Sequence, residues 1–429
     1  MTSVLLQQVR VLDPVSGVDQ IADVMLADGK IRAIEPEIAL PEGGETELVD
    51  GRGLILGPGL VDLYSHSGEP GFEDRESLAS LMAAAMAGGF TRLAILPNTM
   101  PTLDNPGGLA LVQEIIAKLP SPVPQVYLWG ALTLGVKGEQ MAELAELARA
   151  GIVGFADGQP LEHLGLLRRM LEYLQPLGLP VGIWPRSRYL AGNGVVREGP
   201  DSIRLGLPGE PAIAETAAIA SILEIVAAIG TPVHIMRVST ARSVELVQEA
   251  KDRGLPVTAS TTWMHLLLNT EHIGGTRSPM IPYDTSFRVA PPLGNPADQW
   301  ALIRGIRDGY IEAVAIDHTP YTYEEKQVSF VESPPGAIGL EIALPLLWQN
   351  LVVTGKLPPL HLWRLLSTQP ALCLKQTPPA MFPGHPAELT LFDPNQTWTA
   401  NETTLKSRST NTPWFRQQLT GRVVRTFHP

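Results

Sequence analysis

The residues of this chain that could do chemistry fall at separate places along it. Tyr64 and His66 stand in "VDLYSHSGEPGF", Asn98 in "LPNTMP", Asp157 in "FADG" and Trp184 in "WPRS". Arg237 follows in "HIMRVST", His265 in "TWMHLLL" and Asp317 in "DHTPY". On paper His66, Asp157 and Asp317 supply the three nitrogen and oxygen ligands that a catalytic zinc takes from protein, with a further position open to water. Their neighbours work against that use. Arg237 is always protonated and has no lone pair to give. A fixed guanidinium repels a metal ion strongly where the dielectric is low. Trp184 has no accepting ring nitrogen. Tyr64 ligates only as a phenolate, and its unperturbed pKa is about 10. Two carboxylates sharing a pocket without a cation repel, and one is pushed towards its neutral form. Arg237 is the candidate for the separating cation, in contact with a carboxylate.

Elements that could position these residues alternate along the middle of the chain. "RESLASLMAAAMAGGF" reads as an alanine-rich helix closed by glycines, and "TRLAILPNT" as a buried strand. The same helix-then-strand unit recurs through "GEQMAELAELARAG" and "IVGFADG", and on to "ADQWALIRGIRDG" and "IEAVAIDHTP". Repeated units with glycine punctuation predict a parallel sheet, and so many of them favour a (β/α)8 TIM-type barrel over an open sheet. In such a barrel chemistry sits where the strands end, which is where the residues above lie. Both chain ends have a different texture. "VLLQQVRVLD" and "IADVMLADGKIRAIEP" read as strands and a hairpin, as do "AELTLFDPNQTWTA" and "LTGRVVRTF". The expected architecture is therefore α/β: a barrel over residues 58–379, and a small β-sandwich built from residues 1–57 with 380–429. "PPAMFPGHPAE" reads as the linker between them, and "TSFRVAPPLGNPADQ" as a long loop that covers the barrel mouth.

Composition bounds the partners. The chain has 429 residues, 44% hydrophobic and 18% charged, ordinary for a globular protein with a large core. Its formal net charge of −12 argues against a nucleic-acid partner. No apolar run reaches the length of a membrane span, and the polar start does not resemble a signal peptide. With one cysteine, Cys373, an internal disulfide is impossible, and a cytoplasmic setting is expected.

Long stretches carry a family likeness. "PGLVD", "GEPGFED", "AAAMAGGFT", "LPNTMP", "REGPDSIRLGLPGEPAIAE", "VSTARSVELVQEAKDRGLPVTA" and "APPLGNPADQWALIRGIRDGYIEAVAIDHTPYTYEEK" together make the chain resemble a dihydroorotase of the amidohydrolase superfamily. The likeness covers nearly the whole length. It implies a (β/α)8 barrel with a small β-sandwich, and one or two zinc ions. The family's ligand positions fall on Tyr64 and His66, Asp157, Trp184, Arg237 and Asp317. His66, Asp157 and Asp317 keep ligating residue types; Tyr64, Trp184 and Arg237 do not. His234 is the upstream histidine of its stretch rather than a ligand. The arginine that pairs with the substrate carboxylate falls on Gly68. "PPLR" becomes "PPLG" at Gly294, and the last histidine of "DHAPH" becomes Tyr321. Asn98, a substrate-binding position, and Asp317, the general base, are retained.

The resemblance leads to an inactive dihydroorotase-like protein without zinc. It implies a structural or regulatory partner of aspartate transcarbamoylase in pyrimidine biosynthesis, and a homo-oligomer. Two other readings remain. In one the chain is an active zinc-dependent cyclic amidohydrolase, with the metal on His66 and Asp157 and Asp317 as base. In the other it is a small-molecule sensor that uses the old cleft. Each site residue also has a plain structural role to weigh. His66 can be a hydrogen-bonded barrel histidine, Asp157 and Asp317 structural acceptors, and Asn98 a partner for loop backbone. His265 and His318 are expected to pack or cap, and Cys373 to lie in the core.

Overall fold

The computed structural model describes residues 3–40, 46–275 and 281–428. A few positions of the expected terminal unit, residues 1–2, 41–45 and 429, lie outside the described residues. The N-terminal part is a run of strands: β1 Ser3–Asp13, β2 Val18–Ala27, β3 Lys30–Glu35, β4 Thr46–Asp50 and β5 Ile55–Pro58. Next come β6 Leu60–Ser65, β7 Phe90–Ile95, β8 Gln125–Gly130, β9 Gly154–Phe155 and β10 Gly182–Ile183. A short parallel pair, β11 Val196–Arg197 and β12 Gly209–Glu210, follows. The series continues with β13 Val233–Ile235, β14 Val257–Thr262 and β15 Ala313–Ala315. It ends with β16 Leu389–Thr399 and β17 Gln418–Phe427.

Both chain ends meet in one sheet of order β17-β16-β5-β1-β2-β3, with β4 paired to β1. Its register is set locally. The β2–β3 hairpin pairs Ala27 with Lys30 across Asp28 and Gly29, which both have positive φ (53° and 68°). That backbone matches the twist of a two-residue hairpin turn, and an Asp-Gly pair adopts it readily. Alternate residues of the sheet then form an apolar core that includes Leu6, Val11, Val24, Leu56, Leu389 and Leu391. The proline-rich stretch at 378–388 is not a free linker. Ile31 donates to the His385 carbonyl, Ala387 donates to the Gly29 carbonyl, and Met381 and Ala387 join the same core.

In the middle, β6-β7-β8-β9 and β10-β13-β14-β15 run parallel in two groups. Phe155 bridges to Val181 and joins them on one side. On the other side the Asp317 amide donates to the Tyr64 carbonyl (3.1 Å) and the His66 amide to the His318 carbonyl (2.8 Å). The eight strands thus close into a barrel. Helices lie between them, for example Leu78–Ala87 after β6 and Ala241–Asp252 after β13. The first begins later than the pattern predicts. Ser77 and Ser80 form a capping box there, and the Glu76 carboxylate is engaged elsewhere, accepting from the Arg408 amide and the Ser407 hydroxyl. None of the described helices is long and apolar enough to cross a membrane.

Candidate functional site

The expected residues gather where the barrel strands end. His66, Asn98, Trp184, Arg237, His265 and Asp317 line one cavity of about 290 Å³, and residues of the 285–299 loop form part of its wall. At its floor Arg237 lies against Asp317. Nε donates to Oδ2 at 2.8 Å and Nη2 to Oδ1 at 2.6 Å, a bidentate pair. Nη1 donates to the Gly158 carbonyl at 3.0 Å, and Nη2 also reaches His66 Nε2 at 3.2 Å. The same Nε2 of His66 lies 3.6 Å from Asp317 Oδ1. Cζ of Arg237 lies over the Trp184 ring, 4.5 Å from its centre, a cation–π contact.

Tyr64 positions this pair. Its hydroxyl accepts from the Arg237 amide (3.1 Å) and its carbonyl from the Asp317 amide (3.1 Å). Both amides belong to residues with left-handed backbone, φ 56° at Arg237 and 51° at Asp317. Side chains other than glycine rarely take that conformation without support from their surroundings. Below, the Tyr64 hydroxyl meets Ser260 Oγ at 2.9 Å. Ser260 meets His234 Nε2 at 2.8 Å, and His234 Nδ1 meets Thr258 Oγ1 at 2.8 Å. This polar chain runs through the barrel core. Burial pushes the Tyr64 hydroxyl well above its ordinary pKa and brings His234 down to about 3.

Burial also opposes the charge on Asp317, yet the guanidinium beside it holds the carboxyl well below the usual carboxylate range. Asp157 is placed otherwise. Its Oδ1 accepts from the Leu132 and Thr133 amides (2.8 and 3.0 Å) and its Oδ2 from the Thr133 hydroxyl (2.6 Å). It ties the loop after β8 to the end of β9 and is not part of the cavity wall. Burial raises it to about 6.

A zinc ion does not fit this donor set. His66 Nε2 lies 3.6 Å from Asp317 Oδ1, and the Arg237 guanidinium bonds both, which places a fixed positive charge against each potential ligand. Asp157 is committed to backbone and threonine. Among the described residues no group of three or more His, Cys, Asp or Glu side chains converges as metal ligands.

The remaining positions sort cleanly. A Cβ at Gly68 would meet the Glu76 carbonyl at 2.3 Å and that of Phe72 at 2.5 Å, so an arginine there collides with backbone. At Gly294 it would meet Asp298 Cβ at 2.5 Å. Asn98 does not serve loop backbone as expected; its amide makes no side-chain hydrogen bond among the described residues and faces the cavity. His265 is held by Thr262 Oγ1 (2.7 Å) and the Pro291 carbonyl (3.1 Å), and burial brings it down to about 4. His318 accepts from the Gly339 amide on Nδ1 and lies 3.3 Å from Glu76 on Nε2. Cys373 is buried and its thiol is pushed up to about 12, so it is not a nucleophile. Tyr321 stacks on Arg75, whose Cζ is 4.8 Å from the ring centre. Sequence reading missed Arg75, Arg186 and Arg288, which also line the cavity. Arg186 stands two residues after Trp184 in "WPRS", and Arg288 lies in the very loop expected over the mouth, so a count of cations near the strand ends could have found both.

Known proteins fall in line with this architecture. A family model described as "Dihydro-orotase-like" matches residues 53–243. A "Probable dihydroorotase-like protein" of Synechocystis sp. is 45% identical over 97% of this chain and 98% of its own. A "Dihydroorotase" of Pelobacter propionicus is 38% identical over 99% of this chain and 97% of its own. Among solved structures, the L-hydantoinase (dihydropyrimidinase) of Arthrobacter aurescens superimposes with a TM-score of 0.84 at 20% identity. That match covers 100% of this chain and 97% of the other, and it shows a shared fold.

Proposed function

The chain belongs to the dihydroorotase-like family with a cyclic-amidohydrolase fold, and from that premise we propose that it is a member that works without hydrolysis. One observation carries the reading. The Arg237 guanidinium bonds both His66 and Asp317, the two family positions that still hold ligating side chains in the cavity. Catalysis through a metal-bound water needs an open coordination site beside a base. Here the base position is an ion-paired carboxylate, and the neighbouring space holds a fixed cation. The carboxylate clamp is absent with it, since Gly68 has no room for a side chain.

What is left for selection is the barrel as a body. The proposed role is a structural or regulatory partner of aspartate transcarbamoylase in cytoplasmic pyrimidine biosynthesis, in self-associated form. Specific interfaces bury about 1,200–2,000 Å² in total, enough to survive gel filtration at micromolar concentration. Co-expression with the transcarbamoylase of the same organism, followed by sizing, is expected to give one shared peak. Separate peaks, with a transcarbamoylase fully active alone, contradict the role.

The curated relatives named "Dihydroorotase" favour a second reading, an active cyclic amidohydrolase. An assay with dihydroorotate in one direction and carbamoyl aspartate in the other separates the two. The first reading expects no turnover. Turnover that vanishes in Asp317→Ala establishes the second.

A further inference from the structure

Seven of the eight tryptophans are buried, and Trp300 is the exception at 52% exposed. It stands on the helix Pro296–Asp308, which packs beside the helix Ala241–Asp252 on the outside of the barrel. Asn295 caps the first of these, and Leu302 and Ile306 bury its inner side. Residues four apart share a helix face, so Trp300, Arg304 and Asp308 form one stripe, and all three are exposed. Asp308 is held by Arg307 at 2.9 Å, whereas Arg304 has no ion-pair partner among the described residues. The neighbouring helix has the opposite imbalance. Arg242 alone serves both Glu245 and Glu249, its Nη1 standing 2.9 and 2.7 Å from them. Between the helices lies a groove of about 220 Å³, with Val244, Ala301 and Gly305 buried at its floor. Glu245 and Arg304 line the same groove without bonding each other.

We propose that this two-helix face is where two copies of the chain join about a two-fold axis. The Trp300 indole of each copy lies on the groove of the other, and Arg304 meets the second copy's Glu245–Glu249 pair. A two-fold contact uses the same patch on both copies, so the patch must hold both halves of every complementary pair. This one does. It carries an aromatic knob and an apolar groove, and a lone guanidinium beside a surplus carboxylate. A partner of different sequence would need only one half of each. Tryptophan and arginine are also the side chains on which interface energy concentrates, and here they stand one helical turn apart. The indole leaves water on docking, and Arg304 gains the carboxylate that its own chain does not give it. The proposal rests on the reading of the chain as self-associated and adds the surface that performs it.

Sedimentation equilibrium of the full chain tests it. The unsubstituted chain is expected to dimerise with Kd at or below about 10 μM. Trp300→Ser and Arg304→Glu are each expected to weaken the dimer at least about 10-fold. Arg304→Glu combined with Glu245→Arg should recover part of that loss, because the exchanged charges still meet across the axis. Acrylamide quenching of tryptophan fluorescence should fall as protein concentration rises, and this dependence should vanish in Trp300→Ser. Far-ultraviolet circular dichroism checks the fold of each variant, all of them substituted at exposed positions. A chain that stays monomeric well above that concentration overturns the proposal together with the self-association it rests on. A dimer unchanged by Trp300→Ser and Arg304→Glu overturns the proposal alone and leaves self-association standing. If the dimer persists in these variants while binding of the transcarbamoylase is lost, the proposal also fails, and the face belongs to that partner.

Discussion

Two ends of one cavity treat charge in opposite ways. At the floor, Arg237, Asp317 and His66 satisfy one another, and Tyr64 and Trp184 seal them from below and above. At the far wall, Arg186 and Arg288 divide a single glutamate and leave a positive charge over. The contrast teaches that the change at positions 64, 184 and 237 is not mere loss. Tyrosine, tryptophan and arginine together form a packed, hydrogen-bonded cluster around Asp317, while the far wall keeps a guanidinium without a carboxylate of its own.

The strongest way to break this contrast is to remove the floor's cation. Arg237→Met leaves Asp317 buried without its partner and is expected to cost about 3–5 kcal/mol of stability in urea denaturation. Adding Asp317→Leu to the same chain should recover part of the loss, because no lone charge then remains. A loss under 1 kcal/mol, or no recovery, would show that the pair is incidental.

Acid probes the histidines that support the cavity. His234 and His265 have folded pKa values brought down by burial from 6.5 to about 3 and about 4. The unfolded chain takes up these protons near pH 6.5 and the folded chain only well below it. The contribution of each histidine to stability therefore falls as pH drops from 6.5, by roughly 3 kcal/mol at pH 4, while Asp157, raised to about 6, contributes in the opposite direction. In His265→Gln the change in stability between pH 6.5 and 4 should differ from that of the unsubstituted chain by roughly 3 kcal/mol, the share of this histidine. An unchanged slope contradicts the assignment.

Restoring a clamp arginine sharpens the comparison further. Gly68→Arg meets the carbonyls of Glu76 and Phe72 and is expected to destabilise by about 1–3 kcal/mol. It should confer no dihydroorotate hydrolysis, since the floor is unchanged. The smallest effect belongs to the far wall. Arg288→Gln removes an unpaired cation, and stability should stay level or rise by up to about 1 kcal/mol. The same kind of substitution thus has opposite signs at the two ends. A large loss from Arg288→Gln would mean that the wall is balanced after all.

The sequence made the barrel legible because each helix–strand unit carries its own glycine punctuation and apolar period. The terminal sheet was legible from turns such as Asp28-Gly29. The floor was legible in part: three replaced ligand types are visible in one dimension, and a cation needs a carboxylate. That Asp157 would turn to Leu132 and Thr133 could not be read, because a side chain's direction depends on the neighbouring strand's loop. The role of Tyr64 in holding two left-handed residues was equally hidden, since it depends on barrel closure between β6 and β15. Arg288 was passed over for another reason. Whether an arginine is paired is a question about every carboxylate around it, and only the folded chain answers it.

Elemental analysis after zinc loading tests the central claim most directly. The purified chain is dialysed against micromolar zinc, then against metal-free buffer, and its metal content is measured per chain. With Arg237 fixed against both His66 and Asp317, retained zinc should be far below one equivalent. One tightly held zinc per chain would mean that the guanidinium gives way to a metal, and would contradict the account.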